Sequence, residues 1–457
     1  MRALPTPTLT MPRWRIEGLR VSSLTLWLGG MTLLGLALRL IWVFYTDTIP
    51  LGGDPHWYYV VGINIAEGFG FVADRNELWE IPGPGEPTAF WPPGYPFALG
   101  ALFKLAGQSI TSAQVLNAVL GAATVPFVYA LGKRIFDHRV GLVSALLFAV
   151  FPNVIAGTPL LFPEPLFGLI FAAALLLLIS FSPADERSWL PLAGFGFLIG
   201  LAMLTRGQGA VLIPAAGLYW LMQSGWRPAL RGTAIAVFVA AAVIAPWTVR
   251  NAVELHAFIP ISTNSGAALR VGHNAESTGT TKWTDDDVGG FKMWESLYRP
   301  EWEVRGYREY TSLAISYAVS HPLHEVELAG RKVYHLYRSD STVIPWLTTL
   351  GATPLEPGGL ESALRWLLDS SYYTLIFAAV ASIPFWLRRD PIRLLPVNVV
   401  LLWTLFHIAF LGEPRYHIPL YPLFIIAAVG GVWAAAPRIG SMLGRMRSVR
   451  RADAPAP

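Results

Sequence analysis

The stretch LGGDPHWYYVV, Leu51–Val61, decides how this chain is interpreted. It follows an apolar run, Leu24–Tyr45, that is long enough to cross a bilayer, and it places Asp54 within a few residues of the membrane surface. A carboxylate is costly to hold at the edge of a low-dielectric medium unless it has a partner or a task. The sequence around Asp54 therefore calls for an explanation.

Composition assigns the chain to the membrane. Its 457 residues are 53% hydrophobic and 14% charged, with a mean hydropathy of +0.46, which is more apolar material than a soluble core buries. The absence of cysteine excludes disulfides, thiolate nucleophiles and cysteine-based metal sites. The net charge of +4 is spread over several short connections, so a nucleic-acid partner is not expected.

Apolar segments predict an all-α polytopic membrane protein. About ten segments approach the length that crosses about 30 Å of hydrocarbon at 1.5 Å per residue. They are residues 24–45, 109–131, 140–155, 166–181, 190–204, 210–222, 233–249, 367–387, 394–411 and 418–436. The first is too long for a signal peptide and lacks a small-residue cleavage site, so it is expected to remain as a span.

Basic residues in the short connections predict the orientation. They are Arg13, Arg15, Arg20, Lys133, Arg134, Arg139, Arg227, Arg231, Arg388, Arg389 and Arg393, with five more arginines after residue 437. With ten spans they all fall on one side, which the positive-inside rule makes cytoplasmic. The prediction is a multi-pass plasma-membrane protein with both termini cytoplasmic.

The predicted membrane domain covers residues 1–436 and has two long outer regions, residues 46–108 and 250–366. In the first, apolar residues recur at helical spacing from Trp57 to Phe69 and predict an amphipathic helix along the interface, ended by Gly68. The run WPPGYPFALGALFKLAG, Trp91–Gly107, predicts a short helix in the outer leaflet or an ordinary core helix. Residues 437–457 form a basic cytoplasmic tail that is expected to be disordered.

Several of these stretches carry a family resemblance. Asp54 followed by Tyr58 and Tyr59, then IAEGFGF and PPGYP, after a first span containing Arg39, resembles the opening of the polytopic GT-C glycosyltransferases. The chain is similar to glycosyltransferase family 39-like proteins, the bacterial relatives of protein O-mannosyltransferases and of the lipid A aminoarabinose transferase. Later stretches match in order: LFPEPLF (161–167), LTRGQG (204–209), APWTVRN (245–251), LRVGHNAESTG (269–279) and GEPRYHIPLYP (412–422).

The resemblance implies a fold and an activity. The fold is a GT-C-like bundle of about 10–12 transmembrane helices with juxtamembrane helices at the outer face. The activity is transfer of a sugar from a polyprenyl-phosphate donor to an acceptor on the outer face, which is a protein, a lipid or a cell-envelope glycan. Inverting displacement with Asp54 as the base is the implied chemistry.

Two acids are the candidate catalytic residues. Asp54 would take the proton of the attacking hydroxyl; the alternative is a helix N-cap before Pro55. Glu164 stands between two prolines where a span begins, and an acid at that depth indicates a functional site. Its alternative role is that of a helix-start acid favoured by the dipole. No cofactor is certain, although the two acids together are an alternative site for a divalent metal.

The candidate substrate-binding residues fall into three groups. Cations for the phosphate are Arg206, Arg415, Arg250, Arg39 and, more weakly, Lys104. Aromatic residues for the sugar are Tyr58, Tyr59, Tyr95 and Tyr416, together with Trp91. His273 and Asn274 lie in a loop on the side of the sugar acceptor.

Each group has a structural alternative. For the cations the alternative is snorkelling of the side chain to the membrane interface, above all for Arg39. The aromatic residues fit an interfacial belt, and His273 is a hydrogen-bonding residue or, less readily, a metal ligand. The region with Trp283, Trp294 and Trp302 predicts a covering lobe, and Asp285–Asp287 a solvated turn.

Two other classes of protein compete with a transferase. A transporter or flippase of a lipid-linked substrate would also be polytopic, but its polar residues should cluster near the midplane within repeated halves. No internal repeat is visible, and the unusual polar residues fall at predicted outer ends of spans. A scaffold would not require Asp54, Glu164 and Arg206 together.

The predicted topology can be tested with reporter fusions. A reporter fused after Lys133 or Arg231 should report the cytoplasm, because the positive-inside rule places these residues there. One inserted near Gly83 or Asp286 should report the outside. An outside signal at Lys133 would overturn the placement of Asp54 outside the cell.

Overall fold

The computed structural model of the protein describes residues 13–16, 19–48, 52–73, 85–282, 300–349, 353–355 and 357–452. Helices make up most of this part of the chain. They are α1 Ser23–Thr46, α2 Gly53–Glu67, α3 Gly94–Ala106, α4 Ile110–Ala123, α5 Val125–Ile135, α6 His138–Val150, α7 Pro152–Ala156, α8 Glu164–Leu178, α9 Trp189–Thr205, α10 Leu212–Ser224, α11 Trp226–Glu254, α12 Asn264–Gly272, α13 Pro300–Ser320, α14 Pro322–Tyr337, α15 Val343–Thr349, α16 Gly359–Trp386, α17 Pro391–Ile408 and α18 Tyr421–Ala452. The strands in the same residues form two short antiparallel pairs, Arg13–Ile16 with Leu19–Ser22 and Val72–Ala73 with Glu86–Pro87.

The apolar segments predicted from the sequence all overlap helices. Within the described chain, seven helical segments are long and apolar enough to cross a membrane, and α6 and α8 are shorter apolar helices. The segment predicted at residues 210–222 corresponds to α10, whose 13 residues span only about 20 Å at 1.5 Å per residue. The prediction of an all-α polytopic membrane protein is confirmed.

Two of the basic connections meet at one end of the bundle. The guanidinium of Arg393 lies over the ring of Phe136 at 4.1 Å, and that of Arg139 lies over the ring of Trp433 at 5.6 Å. The connection between α5 and α6 and the connection before α17 are therefore neighbours. This agrees with a one-sided distribution of basic residues, while the side of the membrane stays a prediction.

Helix α2 is enclosed by the protein and does not lie along a membrane interface with one face free. Trp57 and Val61 of the predicted apolar face are buried, but so are Ile63 and Asn64 on other sides of the helix. The prediction of an amphipathic helix is wrong, because neighbouring elements cover the helix on most sides, while its position at the membrane interface stays a prediction. Its end at Gly68 is as predicted, with the backbone in the left-handed region at φ 90°.

Glycines allow α2 and α3 to cross at close range. A Cβ atom on Gly62 would lie 2.8 Å from the Cβ atom of Leu99, and one on Gly100 would lie 2.5 Å from Cγ2 of Ile65. The run Trp91–Gly107 thus forms a helix packed on α2. The pair fixes the direction in which α2 leaves the first span, and with it the position of Asp54.

A second glycine crossing joins α5 and α6. A Cβ atom on Gly141 would lie 2.6 Å from the backbone oxygen of Tyr129, and one on Gly132 would lie 3.0 Å from the Cα atom of Gly141. Small residues at such crossings let backbones approach closely, which favours helix association in a membrane.

Helices α12 to α15 lie in the predicted second outer region. A buried carboxylate, Glu303 of α13, ties this region to the segment after α2. It accepts hydrogen bonds from Thr88 Oγ1 at 2.7 Å, the Ala89 amide at 2.9 Å and Thr263 Oγ1 at 2.7 Å. Burial nevertheless raises the pKa of the Glu303 carboxyl above its ordinary value.

The covering lobe was predicted from three tryptophans. Trp302 lies in α13, whereas Trp283, Trp294 and the run Asp285–Asp287 lie outside the described residues.

The last helix corrects the prediction for the basic tail. The backbone of α18 continues from Tyr421 to Ala452, so residues 437–452 are helical. Arginine, methionine, leucine and alanine are good helix formers, and they dominate this segment. Because the segment continues an existing helix, it does not have to nucleate a new one.

We expect Gly141→Val to destabilise the protein, because the added side chain meets backbone atoms of α5 that cannot move aside. The loss should be about 1–3 kcal/mol, the usual range for overpacking. It would be measured as a lower midpoint of thermal unfolding in detergent. Gly30→Val is the matched control, since a Cβ atom there meets nothing within 4 Å. Equal midpoints for the two variants would contradict this packing.

Candidate functional site

Asp54 lies in the first turn of α2 but does not cap it. The N-cap position is Gly52, which makes no side-chain cap hydrogen bond, and the helix begins at Gly53. Gly53 has φ 65°, in the left-handed region, and a Cβ atom there would lie 3.2 Å from the Trp346 ring. The alternative role of Asp54 as the N-cap is therefore wrong. Its side chain is available for other contacts.

Asp54 forms an ion pair with Arg415. Arg415 Nη2 donates to Asp54 Oδ2 at 2.8 Å, and the two side chains are 21% and 22% exposed. Three rings surround the guanidinium, Phe162 at 4.8 Å, Trp346 at 5.7 Å and Tyr416 at 5.4 Å. Cation–π contacts hold Arg415 in place while Asp54 Oδ1 makes no hydrogen bond within the described part of the chain.

Glu164 and Arg206 form a second, more buried ion pair. Arg206 Nη1 donates to Glu164 Oε1, and the side chains are 12% and 6% exposed. Arg206 Nε also donates to Gln208 Oε1 at 3.2 Å, which fixes the plane of the guanidinium. Glu164 Oε2 is buried and makes no hydrogen bond among the described residues. It is therefore a hydrogen-bond acceptor without a donor.

Tyr416 brings the two ion pairs together. Its ring lies 5.0 Å from the Arg206 guanidinium and 5.4 Å from that of Arg415. The start of α2, the start of α8 and the segments after α9 and before α18 thus meet at one end of the bundle. Two acids and two arginines, all predicted from the sequence, stand side by side.

A cavity of about 360 Å³ opens beside these residues. Asp54, Glu164 and Arg415 line one part of it, and Arg39 and Phe148 line another. The volume lies in the range typical of small-molecule sites, about 300–1,000 Å³. The cavity runs from the end of the bundle towards the interior of the first span.

Arg39 does not snorkel to an interface. Its side chain is 1% exposed, and Nη1 donates to the backbone oxygens of Gly35 at 2.9 Å and Ala149 at 3.2 Å. Its ring neighbour is Phe148, at 5.8 Å. The alternative role of Arg39 is thus wrong, because the residue faces the protein interior instead of lipid.

Two other predicted phosphate ligands hold backbone groups away from the cavity. Arg250 Nη1 donates to the Thr88 oxygen at 2.7 Å, and Nη2 donates to the Phe71 oxygen at 2.6 Å. Lys104 Nζ donates to the Ala66 oxygen at 3.3 Å. Neither residue lines the cavity. Their positive charges stabilise the segment that follows α2.

The predicted sugar-binding aromatics divide into two groups. Tyr58 and Tyr95 are buried against each other, 5.4 Å apart, and burial raises the pKa of both phenols. Tyr59 packs on Phe103, and Trp91 packs on Tyr58. These residues form a packed cluster with no free ring face at the cavity. Tyr416 alone among the predicted aromatics contacts the ion pairs in the described chain.

His273 belongs to a separate polar cluster. His273 Nδ1 lies 2.8 Å from Glu325 Oε2, and Nε2 lies 3.1 Å from Lys332 Nζ. Lys332 is buried, which lowers the pKa of its amine to about 8. Asn274 Nδ2 donates to the Arg270 oxygen at 2.8 Å. None of these residues lines the cavity. His273 and Asn274 instead hold parts of the second outer region together.

One network at the cavity wall was not predicted. His417 Nε2 and Asn153 Nδ2 each lie 2.6 Å from Asp340, at Oδ1 and Oδ2 respectively, and Tyr421 donates its hydroxyl to Asp340 as well. His417 Nδ1 lies 2.6 Å from the Leu336 oxygen, to which it must donate because a carbonyl oxygen only accepts. His417 and Tyr421 lie in GEPRYHIPLYP, a stretch that carried the family resemblance, whereas Asp340 and Asn153 lie in none of the quoted stretches.

The described residues contain no group of three His, Cys, Asp or Glu side chains that could hold a metal. Asp54 and Glu164, the two acids considered for a divalent metal, are each in contact with a different arginine.

Comparison with known proteins shows a similarity over part of the chain. A profile described as dolichyl-phosphate-mannose-protein mannosyltransferase matches residues 91–249, about a third of the chain. An undecaprenyl phosphate-alpha-4-amino-4-deoxy-L-arabinose arabinosyl transferase from Pseudomonas paraeruginosa is 31% identical over 149 residues, which cover 31% of this chain and 27% of the relative. A homologous transferase from Pseudomonas aeruginosa is 31% identical over 151 residues. The aligned segment thus spans about a quarter of these relatives.

The fold is shared over much more of the chain. The archaeal oligosaccharyltransferase AglB from Archaeoglobus fulgidus, solved with an inhibitory peptide and a dolichol-phosphate, superposes with a TM-score of 0.52 at 15% identity. The superposition covers 94% of this chain and 52% of AglB. The resemblance predicted from the sequence is confirmed: residues 91–249 match the mannosyltransferase family, and the chain shares the fold of this polytopic membrane transferase over most of its length.

Proposed function

We propose that the protein transfers a sugar from a polyprenyl-phosphate donor to an acceptor hydroxyl at the outer face of the plasma membrane. The observation that carries this proposal is the pairing of two acids with two arginines: Asp54, Glu164 and Arg415 line a cavity that runs into the first span, and Arg206 lies behind Glu164. A lipid-linked phosphosugar keeps its chain in the bilayer and its phosphate at the headgroup level. A transferase therefore needs cations and a base at that level.

Asp54 is the proposed base. Its Oδ2 atom is held by Arg415, whereas Oδ1 makes no hydrogen bond in the described chain and can accept the proton of an attacking hydroxyl. A positioned base contributes about 10²- to 10⁴-fold in rate. In an inverting displacement the hydroxyl oxygen bonds to the anomeric carbon as the bond to the phosphate oxygen breaks, and the proton passes to Asp54.

Arg415 and Arg206 are the proposed ligands of the leaving phosphate. Arg415 uses Nη2 for Asp54, and its other nitrogens make no hydrogen bond that would prevent contact with a phosphate oxygen. A guanidinium stabilises the negative charge that grows on the phosphate as the sugar leaves. Arg206 lies beside it across the Tyr416 ring and keeps Glu164 oriented.

The comparisons support this class of substrate. The family is described as a dolichyl-phosphate-mannose-protein mannosyltransferase, and the relatives carry the name of an undecaprenyl-phosphate aminoarabinose transferase. Both names specify a sugar on a polyprenyl phosphate. The sugar and its acceptor, a protein, a lipid or an envelope glycan, are left open by these names because the relatives are matched over about a quarter of their length.

A transporter or flippase of the same lipid-linked substrate is the second candidate. Such a protein requires polar groups that let a headgroup cross the membrane, and the position of Arg39 inside the first span is the observation that favours it. The two acid–arginine pairs at one end of the bundle favour chemistry at a surface instead.

A divalent cation between Asp54 and Glu164 was the metal-dependent alternative. In the present arrangement Arg415 contacts one oxygen of Asp54, and Arg206 contacts one oxygen of Glu164. Each acid already has a positive partner, so we propose a reaction in which the arginines supply the positive charge.

The direct test is transfer itself. Purified protein in lipid would be incubated with radiolabelled polyprenyl-phosphate sugars and a cell-envelope fraction as a source of acceptors. Label recovered in the fraction supports the proposal. If label instead crosses a vesicle membrane while still attached to its lipid, the protein is a flippase.

Asp54→Asn should reduce transfer by about two orders of magnitude or more, because the carboxamide cannot accept the proton. Binding of the carrier should stay near normal, since the side chain keeps its size and an oxygen for Arg415. The measurement is the initial rate of label transfer at saturating donor. Glu67→Gln, an exposed acid at the other end of α2, is the matched control and should transfer at the normal rate. Full transfer by Asp54→Asn would rule out this base.

Arg415→Ala and Arg206→Ala should each weaken binding of the lipid phosphate more than binding of the sugar acceptor. Loss of a charge-assisted hydrogen bond corresponds to about 10- to 100-fold in affinity. The measurements are the apparent KM values for donor and acceptor. Arg231→Ala, an exposed arginine elsewhere in the bundle, is the control. Equal losses for the two substrates would argue against contact with the phosphate.

A further inference from the structure

Arg39 has a free hydrogen-bonding edge inside the protein. Its Nη1 atom is used by two backbone oxygens, whereas Nε and Nη2 are buried and have no hydrogen-bond partner in the described part of the chain. The Nε and Nη2 atoms form the side of a guanidinium that binds a carboxylate or phosphate through two parallel hydrogen bonds. Arg39 therefore presents the edge that is suited to an oxyanion.

The charge of Arg39 is not balanced by the protein. No carboxylate forms an ion pair with it among the described residues, and the ring that it contacts, Phe148, is uncharged. Arg206 and Arg415, in contrast, each contact an acid. A buried cation without an anion is costly, and the cost is removed when a bound group supplies the negative charge. Of Arg39, Arg206 and Arg415, Arg39 is the one with no acidic partner among the described residues.

Arg39 also lies deep in the membrane region. It precedes Thr46, the end of α1, by seven residues, which corresponds to about 10 Å along the helix. The same cavity that Asp54 and Arg415 line reaches this depth. A ligand that touches the mouth of the cavity can thus extend to Arg39 without leaving it.

An unused acceptor belongs to the same cavity as the free donors. Asn153 Nδ2 donates to Asp340 Oδ2 at 2.6 Å and to the Leu368 oxygen at 2.8 Å, so the orientation of the amide is fixed. Its Oδ1 atom is then left buried with no donor in the described chain. Asn153 lines the same cavity and lies in α7, four residues after Ala149, whose oxygen binds Arg39. A ligand that satisfies both residues carries an oxyanion beside a hydroxyl or amine.

Gly121 leaves the space that the free edge requires. It lines the cavity, and a Cβ atom on it would lie 2.7 Å from Arg39 Nε. An alanine at this position would push the guanidinium away from its present place. The glycine at position 121 therefore leaves room for the Nε edge of the Arg39 guanidinium.

We propose that Arg39 and Asn153 form a second subsite at the floor of the cavity, which binds an oxyanion of the ligand and an adjacent hydrogen-bond donor. The oxyanion has two sources, the phosphate of a polyprenyl carrier or an acidic group on the transferred sugar. The identity of the ligand rests on the proposed function, but the subsite itself is tested by binding alone.

The experiment measures equilibrium binding to purified protein in lipid nanodiscs. The probes are undecaprenyl phosphate, undecaprenol as the uncharged chain, and soluble glucuronate with glucose as its neutral counterpart. The variants are Arg39→Gln, Arg39→Lys and Gly121→Ala, with Arg231→Gln and Gly30→Ala as controls. Thermal unfolding of each variant confirms that it is folded before binding is measured.

Arg39→Gln should weaken binding of one oxyanion by about 10- to 100-fold and leave the uncharged probe unchanged. Weaker binding of undecaprenyl phosphate assigns the subsite to the carrier. Weaker binding of glucuronate, with normal binding of undecaprenyl phosphate, assigns it to an acidic sugar. Gly121→Ala should weaken binding of the same probe, while both control variants bind it normally. Arg39→Lys should bind this probe more tightly than Arg39→Gln and more weakly than the native protein, because it keeps the charge but not the two parallel hydrogen bonds.

Unchanged binding of both oxyanions by folded Arg39→Gln would overturn the proposal. If that variant does not fold, normal binding by Arg39→Lys together with Gly121→Ala overturns it equally. Failure of the proposed function looks different: label transfer would be absent from the native protein while the dependence of binding on Arg39 remains.

Discussion

The ion pair between Asp54 and Arg415 is the contact on which the site depends. It joins residues 361 positions apart, one at the start of α2 and one just before the last span. Near a membrane a charge must be paired or reach water, since burial of an isolated ion is expensive. This requirement brings the two ends of the chain together. The Glu164–Arg206 pair and the Asp340–His417 pair apply the same constraint to α8, α9 and α14.

These pairs act on elements that apolar packing alone does not orient. Helices that bury only apolar side chains can rotate or slide at little cost, because lipid is as apolar as they are. A charge-assisted hydrogen bond has a direction and a short range. The glycine crossings of α2 with α3 and of α5 with α6 set how close the backbones come, and the charged pairs set their register.

The fold class could be predicted from the sequence because hydrophobic length is a local property. Each span is apparent in its own residues, and so are the glycines that end α2. The partner of a charge is not local. Nothing near Asp54 indicates Arg415, and nothing near Asp340 indicates His417. For the same reason the sequence could not show whether Arg39 faces lipid or protein, which depends on helices that follow it by a hundred residues.

The candidate site was predicted in part for a related reason. Asp54, Glu164, Arg206 and Arg415 meet because each stands at the end of a helix, and helix ends can be identified from sequence. Tyr58, Tyr95 and Arg250 also stand near the predicted surface, yet the segment after α2 folds over them and uses them as core and as backbone clamps. Residue type and predicted depth in the membrane do not distinguish a residue of the candidate site from one that only packs or holds the backbone.

The position of α1 has a consequence for how the protein meets its substrate. This span contributes Arg39 to the cavity, yet only five of its 24 residues are buried in the bundle. A molecule that approaches past such a peripheral helix does so within the plane of the bilayer. Its effective concentration is then set by the number of its molecules per lipid molecule, and not by the number per litre of solution. Diluting the membrane with inert lipid would slow encounter even when the bulk concentration of both partners stays constant.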